Sequence, residues 1–209
     1  MATLSQIRQR IRQDLKDTDS ANYRWTDAVL DRHIDHAVRE FSLACPRETK
    51  ATLATTSGGR EVDISSLADR VILFAVEYPM GKFPPRYQRF SLYQDTITLL
   101  GEEIPDGSNC CLYYGKLHTL DDTTSTIPSQ QEDTIALGSE AYALLEYAAY
   151  TINRISVGGE DVARQFQRRG EELLNHFKKE LKKLNSHLRP RRLYPPATSL
   201  PSKSTDWGP

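Results

Sequence analysis

His33, His36 and Glu40 come nearest to a metal-binding spacing in this chain. On a helix, residues three and four apart are neighbours, so the two imidazoles and the carboxylate could share one flank. No fourth ligand stands near them, and the flank lies opposite Ile34 and Val38. The reading is a solvated helix face. His118, His176 and His187 are scattered and carry no triad spacing. The acid pairs Glu102-Glu103 and Asp121-Asp122 mimic a glycosidase dyad in composition only. A working dyad needs one carboxyl raised by burial, and these sit in polar loops. Gly58-Gly59 and Gly158-Gly159 lack the spacing and the Lys-Ser/Thr of a phosphate loop. Cys45, Cys110 and Cys111 match no zinc spacing and no disulfide framework. They read as buried or half-buried thiols in a reducing compartment. No catalytic residue, metal or cofactor is therefore expected.

The residues left with something to do are charged. The formal net charge is −1, but the segment from 160 to 192 holds ten Lys/Arg against five acids. That segment is +5 and the remainder −6, an asymmetry suited to head-to-tail subunit contact or an acidic partner. Lys178, Lys179, Lys182 and Lys183 are its densest part. They could meet a partner's acidic surface or the phosphates of DNA in a channel. Little aromatic interleaving is present for single-strand stacking, and protein contact is preferred.

Leu4, Ile7, Ile11 and Leu15 repeat at helical spacing, with Arg8, Arg10, Arg12 and Gln13 on the other faces. Residues 17–22 form a polar connector. Trp25-Thr26-Asp27 reads as a helix start: Thr26 caps, Asp27 suits the positive end, and Trp25 can staple onto Leu30. Leu30, Ile34, Ala37, Val38 and Phe41 form the buried face, and Pro46 ends the helix. From residue 50 to 120 the period changes to two. Ser57-Gly58-Gly59 signals a hairpin between 52–55 and 61–64, and Gln94-Asp95 and Pro105-Asp106-Gly107 signal further turns. One small antiparallel sheet of five or six strands is predicted. After a polar linker at 121–130, with Pro128 near a helix start, Leu137, Ala141, Leu144, Leu145, Ala148, Ile152 and Ile155 mark a long helix. Ala143, Tyr147, Ala149 and Tyr150 extend its apolar surface, so it should be touched on several sides. Gly158-Gly159 breaks it. A last helix follows, with Val162, Phe166, Gly170, Leu173, Phe177, Leu181, Leu184 and Leu188 as its stripe, roughly 43 Å long at 1.5 Å per residue. Pro190 stops it.

Residues 189–209 hold five prolines with Ser, Thr and Lys, and cannot form a core. Yet Leu193, Tyr194 and Trp207, beside Arg191 and Arg192, are anchors that a solvated linker rarely keeps. Docking on a neighbouring subunit is expected. The N-terminal stretch opens into the amphipathic pattern rather than a signal peptide. No apolar run approaches the roughly 20 residues of a membrane span, and no membrane partner is expected.

The residues Leu4-x-x-Ile7-x-x-x-Ile11, then Tyr23-Arg24-Trp25-Thr26-Asp27-Ala28-x-Leu30 and Ile34-x-x-Ala37, resemble the opening of tailed-bacteriophage head–tail adaptor proteins. Asp35-His36-Ala37 stands where that family commonly has an Asn-Glu-Ala triplet. Ile127-Pro128 with Leu137-Gly138-Ser139-Glu140-Ala141 through Leu145 resembles the family's later helix. The likeness covers the two helical parts, roughly two-thirds of the chain. The β-rich middle departs from the smallest, all-helical adaptors and is closer in plan to those of short-tailed phages. The resemblance implies a homo-oligomeric ring, usually of twelve copies, docked on the portal protein at one capsid vertex. It also implies a downstream tail or nozzle protein as partner, transient non-specific contact with DNA in the channel, and synthesis in the host cytoplasm.

The fold class expected is α+β. A bundle of about four helices (residues 1–48 and 129–188) carries an inserted antiparallel β-subdomain (49–128) and an extended C-terminal arm (189–209). The two helical parts should share one core, with Leu30, Phe41, Leu144, Leu145, Phe166 and Leu173 in contact. The function expected is a structural virion protein, not an enzyme. The interface residues are Lys178, Lys179, Lys182, Lys183, Arg191, Arg192, Leu193, Tyr194 and Trp207. The alternatives are a virion-associated cell-wall-degrading enzyme, which needs a buried acid not evident here, and a DNA-binding module, disfavoured by the net charge.

Overall fold

The computed structural model describes residues 1–151 and 161–187. The chain forms two compact units, one from residues 1–47 with 117–187 and the other from 48–116. The architecture is α+β. Ile152, Ile155, Gly158, Gly159, Leu188 and the whole of 189–209 lie outside the described residues.

The first unit is helical. α1 (Leu4–Asp14) begins at Thr3, whose hydroxyl accepts the Gln6 amide while the Gln6 side chain accepts the Thr3 amide. α2 (Asp27–Ala44) is capped by Thr26, as its sequence predicts, with Asp27 in the first turn. A short 3₁₀ turn (Ser129–Gln131) leads into α3 (Glu132–Thr151), and α4 (Val162–His187) follows. α3 is the centre: Ile135, Ala136, Ala141, Ala143, Leu144 and Ala148 are all buried, on more than one side of the helix. Its small residues let three neighbours approach, α1, α2 and α4. One apolar cluster joins Ile7, Ile11, Leu30, Ile34, Phe41, Leu144, Leu173 and Phe177, with Phe166 packed on its rim. The two helical parts therefore share a core, although the β-rich segment separates them in sequence. Each buried Leu, Ile or Phe in it contributes about 1.5–3 kcal/mol.

The α3–α4 hairpin is fixed by two close approaches. A Cβ on Gly138 would lie 2.8 Å from Cζ of Phe177, and one on Gly170 would lie 2.8 Å from Cγ of Leu145. These positions need glycine because real Cβ atoms do not come so near. The segment 117–131 belongs with the helices. Its His118 amide donates to Ser42 Oγ at 3.0 Å, Asp121 accepts the Leu4 amide at 3.1 Å, and Ile127 is buried in the helical core.

One side chain here lies away from its expected place. Arg12, expected on an outer face, is buried. Its guanidinium donates to Asp17 at 2.7 Å, Asp27 at 2.6 Å and the Trp25 carbonyl at 2.9 Å. The polar connector therefore begins with a buried partner. Trp25 is also buried, with its indole N–H donating to the Ala143 carbonyl at 3.2 Å. It ties the start of α2 to the middle of α3.

The second unit is β-rich. Seven strands run β1 (Arg47–Ala54), β2 (Glu61–Asp63), β3 (Arg70–Glu77), β4 (Tyr87–Gln88), β5 (Phe90–Tyr93), β6 (Thr96–Leu99) and β7 (Asn109–Lys116). They form two sheets where the sequence predicts one: four strands in the order β1-β7-β3-β4 and three in the order β2-β6-β5. The hairpin expected around Gly58-Gly59 is absent, because β1 joins β7 and β2 pairs with β6. The Gln94-Asp95 turn is present and sets Tyr93 opposite Thr96, with Gln94 at φ +50°. Between β3 and β7 the register shifts twice, between Arg70 and Ile72 and between Leu73 and Ala75. Val62 and Ile97 from one sheet, Ile64 just past β2, and Val76, Cys110 and Leu112 from the other sheet fill a shared core.

Candidate functional site

α4 positions the residues with most to offer a partner. Gly170, Leu173, Phe177 and Leu181 are its buried line. At about 100° per residue, Lys178, Lys179, Lys182 and Lys183 then span about 140° of the opposite surface. All four are exposed. The contacts at Gly138 and Gly170 set the rotation of α4, and so aim this cationic arc outward.

The charge on α4 is unevenly satisfied. In its first half Arg164 pairs with Asp161 at 3.4 Å and Arg168 with Glu172 at 3.2 Å. In its second half only one carboxylate is present, Glu180. Lys183 donates to it at 2.5 Å and His176 lies 3.5 Å away. The Lys183 hydrogen bond holds the Glu180 carboxyl below its ordinary range. Lys178, Lys179 and Lys182 make no ion pair to a described residue. Such exposed ammonium groups cost little to leave in water and gain from an acidic surface that approaches them. Arg191, Arg192, Leu193, Tyr194 and Trp207, expected to act beside them, lie outside the described residues.

The histidine flank of α2 is not the solvated face expected. His33 is buried, with Nε2 against the Glu146 carboxylate from α3. Burial holds its imidazole below the ordinary pKa, against the opposing pull of Glu146. Arg32 donates to the same carboxylate at 2.5 Å. His36 is exposed and stacks on Tyr142, with ring centres 4.3 Å apart and planes within 8°. The Tyr142 hydroxyl donates to Glu40 at 2.7 Å. Among the described residues no three His, Cys, Asp or Glu side chains are grouped to hold a metal ion. The cluster is a polar seam that fastens α2 to α3. Only α3 could reveal this, so a reading confined to α2 missed it.

The acid pairs do not form a buried dyad. Glu103 is exposed and meets Arg86 at 2.5 Å. Asp121 accepts hydrogen bonds from the amides and hydroxyls of Thr123 and Thr124, which hold its carboxyl far below the usual range. It is the organiser of a turn. Cys110 and Cys111 are buried, and burial pushes both thiols up. The β-rich unit exposes several apolar side chains, of which Phe83 is the most open at 98%. Among the described residues, no helix is long and apolar enough to cross a membrane.

The comparison with known families says what kind of protein carries these surfaces. A family model described as SU10 adaptor protein matches residues 2–197. The chain belongs to the SU10 adaptor protein family. The match spans both the helical and the β-rich units, including the middle that departs from the smallest adaptors. As a phage adaptor the protein has a structural role and is a component of the virion, in contact with other virion proteins. A search of curated proteins found no match.

Proposed function

We propose that this adaptor forms a ring of copies, twelve being the expectation, that joins the portal protein to a downstream tail or nozzle protein. The channel of the ring continues the path of the DNA. The observation that carries the reading is the cationic arc of α4, three of whose four lysines have no acidic partner among the described residues. It rests on a hairpin with no slack at Gly138 and Gly170, so the arc is held in one orientation. A protein that must seat on a rigid assembly benefits from a surface that is rigid beforehand. The arc meets an acidic face of the portal or of the neighbouring copy. Residues 189–209 extend the contact through Arg191, Arg192, Leu193, Tyr194 and Trp207. Contact with DNA is transient and non-specific, since a channel must let DNA pass. The ring sits at the portal vertex, after synthesis in the host cytoplasm.

The test is to change Lys178, Lys179, Lys182 and Lys183 to Glu together. Negative-stain images and sedimentation of the protein with its portal should show docking lost, with helix content by circular dichroism unchanged. Moderate salt should weaken docking of the native protein only in part, because apolar contacts persist. Normal docking by the quadruple variant would refute the role given to the arc.

A further inference from the structure

The β-rich unit has two unlike ends, and β3 runs from one to the other, about 26 Å for its eight residues at about 3.3 Å each. Past the C-terminal end of β3, residues 78–86 form a loop that is tied down at its base. The Tyr78 amide donates to the Arg86 carbonyl at 2.9 Å. Buried Glu77 accepts the Gly81 amide at 3.0 Å and the Tyr113 hydroxyl at 2.8 Å. On this braced loop Phe83 is 98% exposed and Met80 43%. Lys82, beside Phe83, is exposed and makes no ion pair to a described residue. Residues 78–86 contain no acid. At the other end, the start of β3 and the end of β5 frame a groove of about 520 Å³. Ala68, Val71, Ile72, Leu73 and Leu92 give it apolar walls. Ile72 and Leu92 are each 47% exposed, so the walls have apolar surface left to bury. The two charged residues that line the groove, Arg70 and Asp95, pair with each other. Beside it Lys116 offsets Asp69 at 3.1 Å. Asp63 makes no ion pair to a described residue, and hydrogen bonds from the Ser65 amide and hydroxyl hold its carboxyl below the ordinary range. The surround is thus net acidic.

Loop and groove match in kind. One offers an open aromatic with a cation next to it, the other open aliphatic walls with an unmatched carboxylate next to them. They do not meet within one copy, because β3 stands between them: Ile72 and Tyr78 are about 20 Å apart along the strand. We propose that Phe83 of one copy seats in the groove of the neighbouring copy, against Ile72 and Leu92, with Lys82 facing Asp63. The contact joins opposite ends of the same unit, and a head-to-tail contact of this kind closes a ring when its rotation allows. A phenylalanine buries about 150–250 Å², against about 800 Å² per partner in a stable two-body interface. The contact is therefore a joint repeated around a ring and not the bond of an isolated dimer. It rests on the ring reading above and gives that reading a specific joint.

The test mixes two differently tagged copies of the full chain with the portal protein. One copy carries Ser65→Cys in the groove and the other Lys82→Cys beside Phe83, and a short bis-maleimide reagent links cysteines in reach. Ser65 and Lys82 are both exposed, and circular dichroism checks that the fold is kept. Unsubstituted copies control for the native cysteines. An off-site control moves the first cysteine to the loop end of the unit, as Ser57→Cys. The expected product is a linked pair bearing both tags, several-fold above either control. It should be lost when Phe83→Asp is added to the second copy, and equally when Leu92→Asp is added to the first. No link above the controls overturns the joint, as does a link that survives Phe83→Asp. If Phe83→Asp leaves rings and link intact and stops only docking on the portal, the loop belongs to that contact and the joint is again overturned. Sedimentation of the same samples separates the two readings. Rings without the link sink the joint alone, and the absence of both sinks the ring as well.

Discussion

Replacing Gly138 with alanine should destabilise the helical unit, although alanine is the better helix former. In a helix interior the substitution gains about 1 kcal/mol of propensity. Against this, the new methyl would sit 2.8, 2.9 and 3.0 Å from three ring carbons of Phe177. Carbon atoms settle at about 3.5–4.0 Å, so ring or helix must retreat by about 0.7 Å. Phe177 has no exposed surface, so the ring has no open side to swing into. α4 must move instead, loosening Leu173 and Leu181, which share its buried line. Overpacking of this kind costs about 1–3 kcal/mol. The net loss is about 1 kcal/mol, read as a fall of about 2–4 °C in the melting temperature. Thermal denaturation followed at 222 nm measures it. A paired Phe177→Leu substitution should make Gly138→Ala less harmful than it is alone, since the clash is removed with the ring. A melting temperature raised by Gly138→Ala in the native background would refute the claim that glycine is needed there for close approach.

Two further outcomes are expected. Arg12→Met should cost about 3–5 kcal/mol in urea denaturation, because it strands the buried Asp17 carboxylate. Adding Asp17→Asn should recover part of that loss, and full additivity of the two would argue against a coupled pair. Stability should also fall as pH drops below about 6.5, the ordinary value for histidine. Burial lowers the folded-state pKa of both His33 and His118, so the unfolded chain binds more protons below that pH. His33 faces Glu146, Arg32, His36 and Tyr142, and replacing both buried histidines with Gln should flatten the dependence between pH 7 and 5.

The helices were legible because their signals are local. Thr26 caps α2 by geometry that four adjacent residues decide, and the stripe of α4 fixes which side its lysines occupy. The sheets were less legible because pairing is not local. Gly58-Gly59 permits a turn, but β1 gains more by setting Leu53 and Ala51 against the core shared with Cys110 and Leu112. Ser57-Gly58-Gly59 therefore joins strands that belong to different sheets. Burial of charge was the least legible. Arg12 and His33 look like surface residues from their own helices, and only Asp17, Glu146 and the residues packed over them show otherwise. The cationic arc needed no such distant partner, which is why its placement followed from the sequence alone.

The helical unit is assembled from two separated stretches of chain, and the order of synthesis gives that a consequence. α1 and α2 leave the ribosome first, with Ile7, Ile11, Leu30 and Phe41 as one uncovered apolar face. The helices that cover this face are complete only at His187, while α2 ends at Ala44. At about 5–20 residues per second the gap lasts roughly 7–30 s. During that time the β-rich unit, continuous from 48 to 116, has all its strands and can close its own core. The nascent chain is thus a finished β unit preceded by a sticky, unfinished helical pair. That pair is a natural client for a chaperone, and premature pairing between nascent copies is the error it must be kept from.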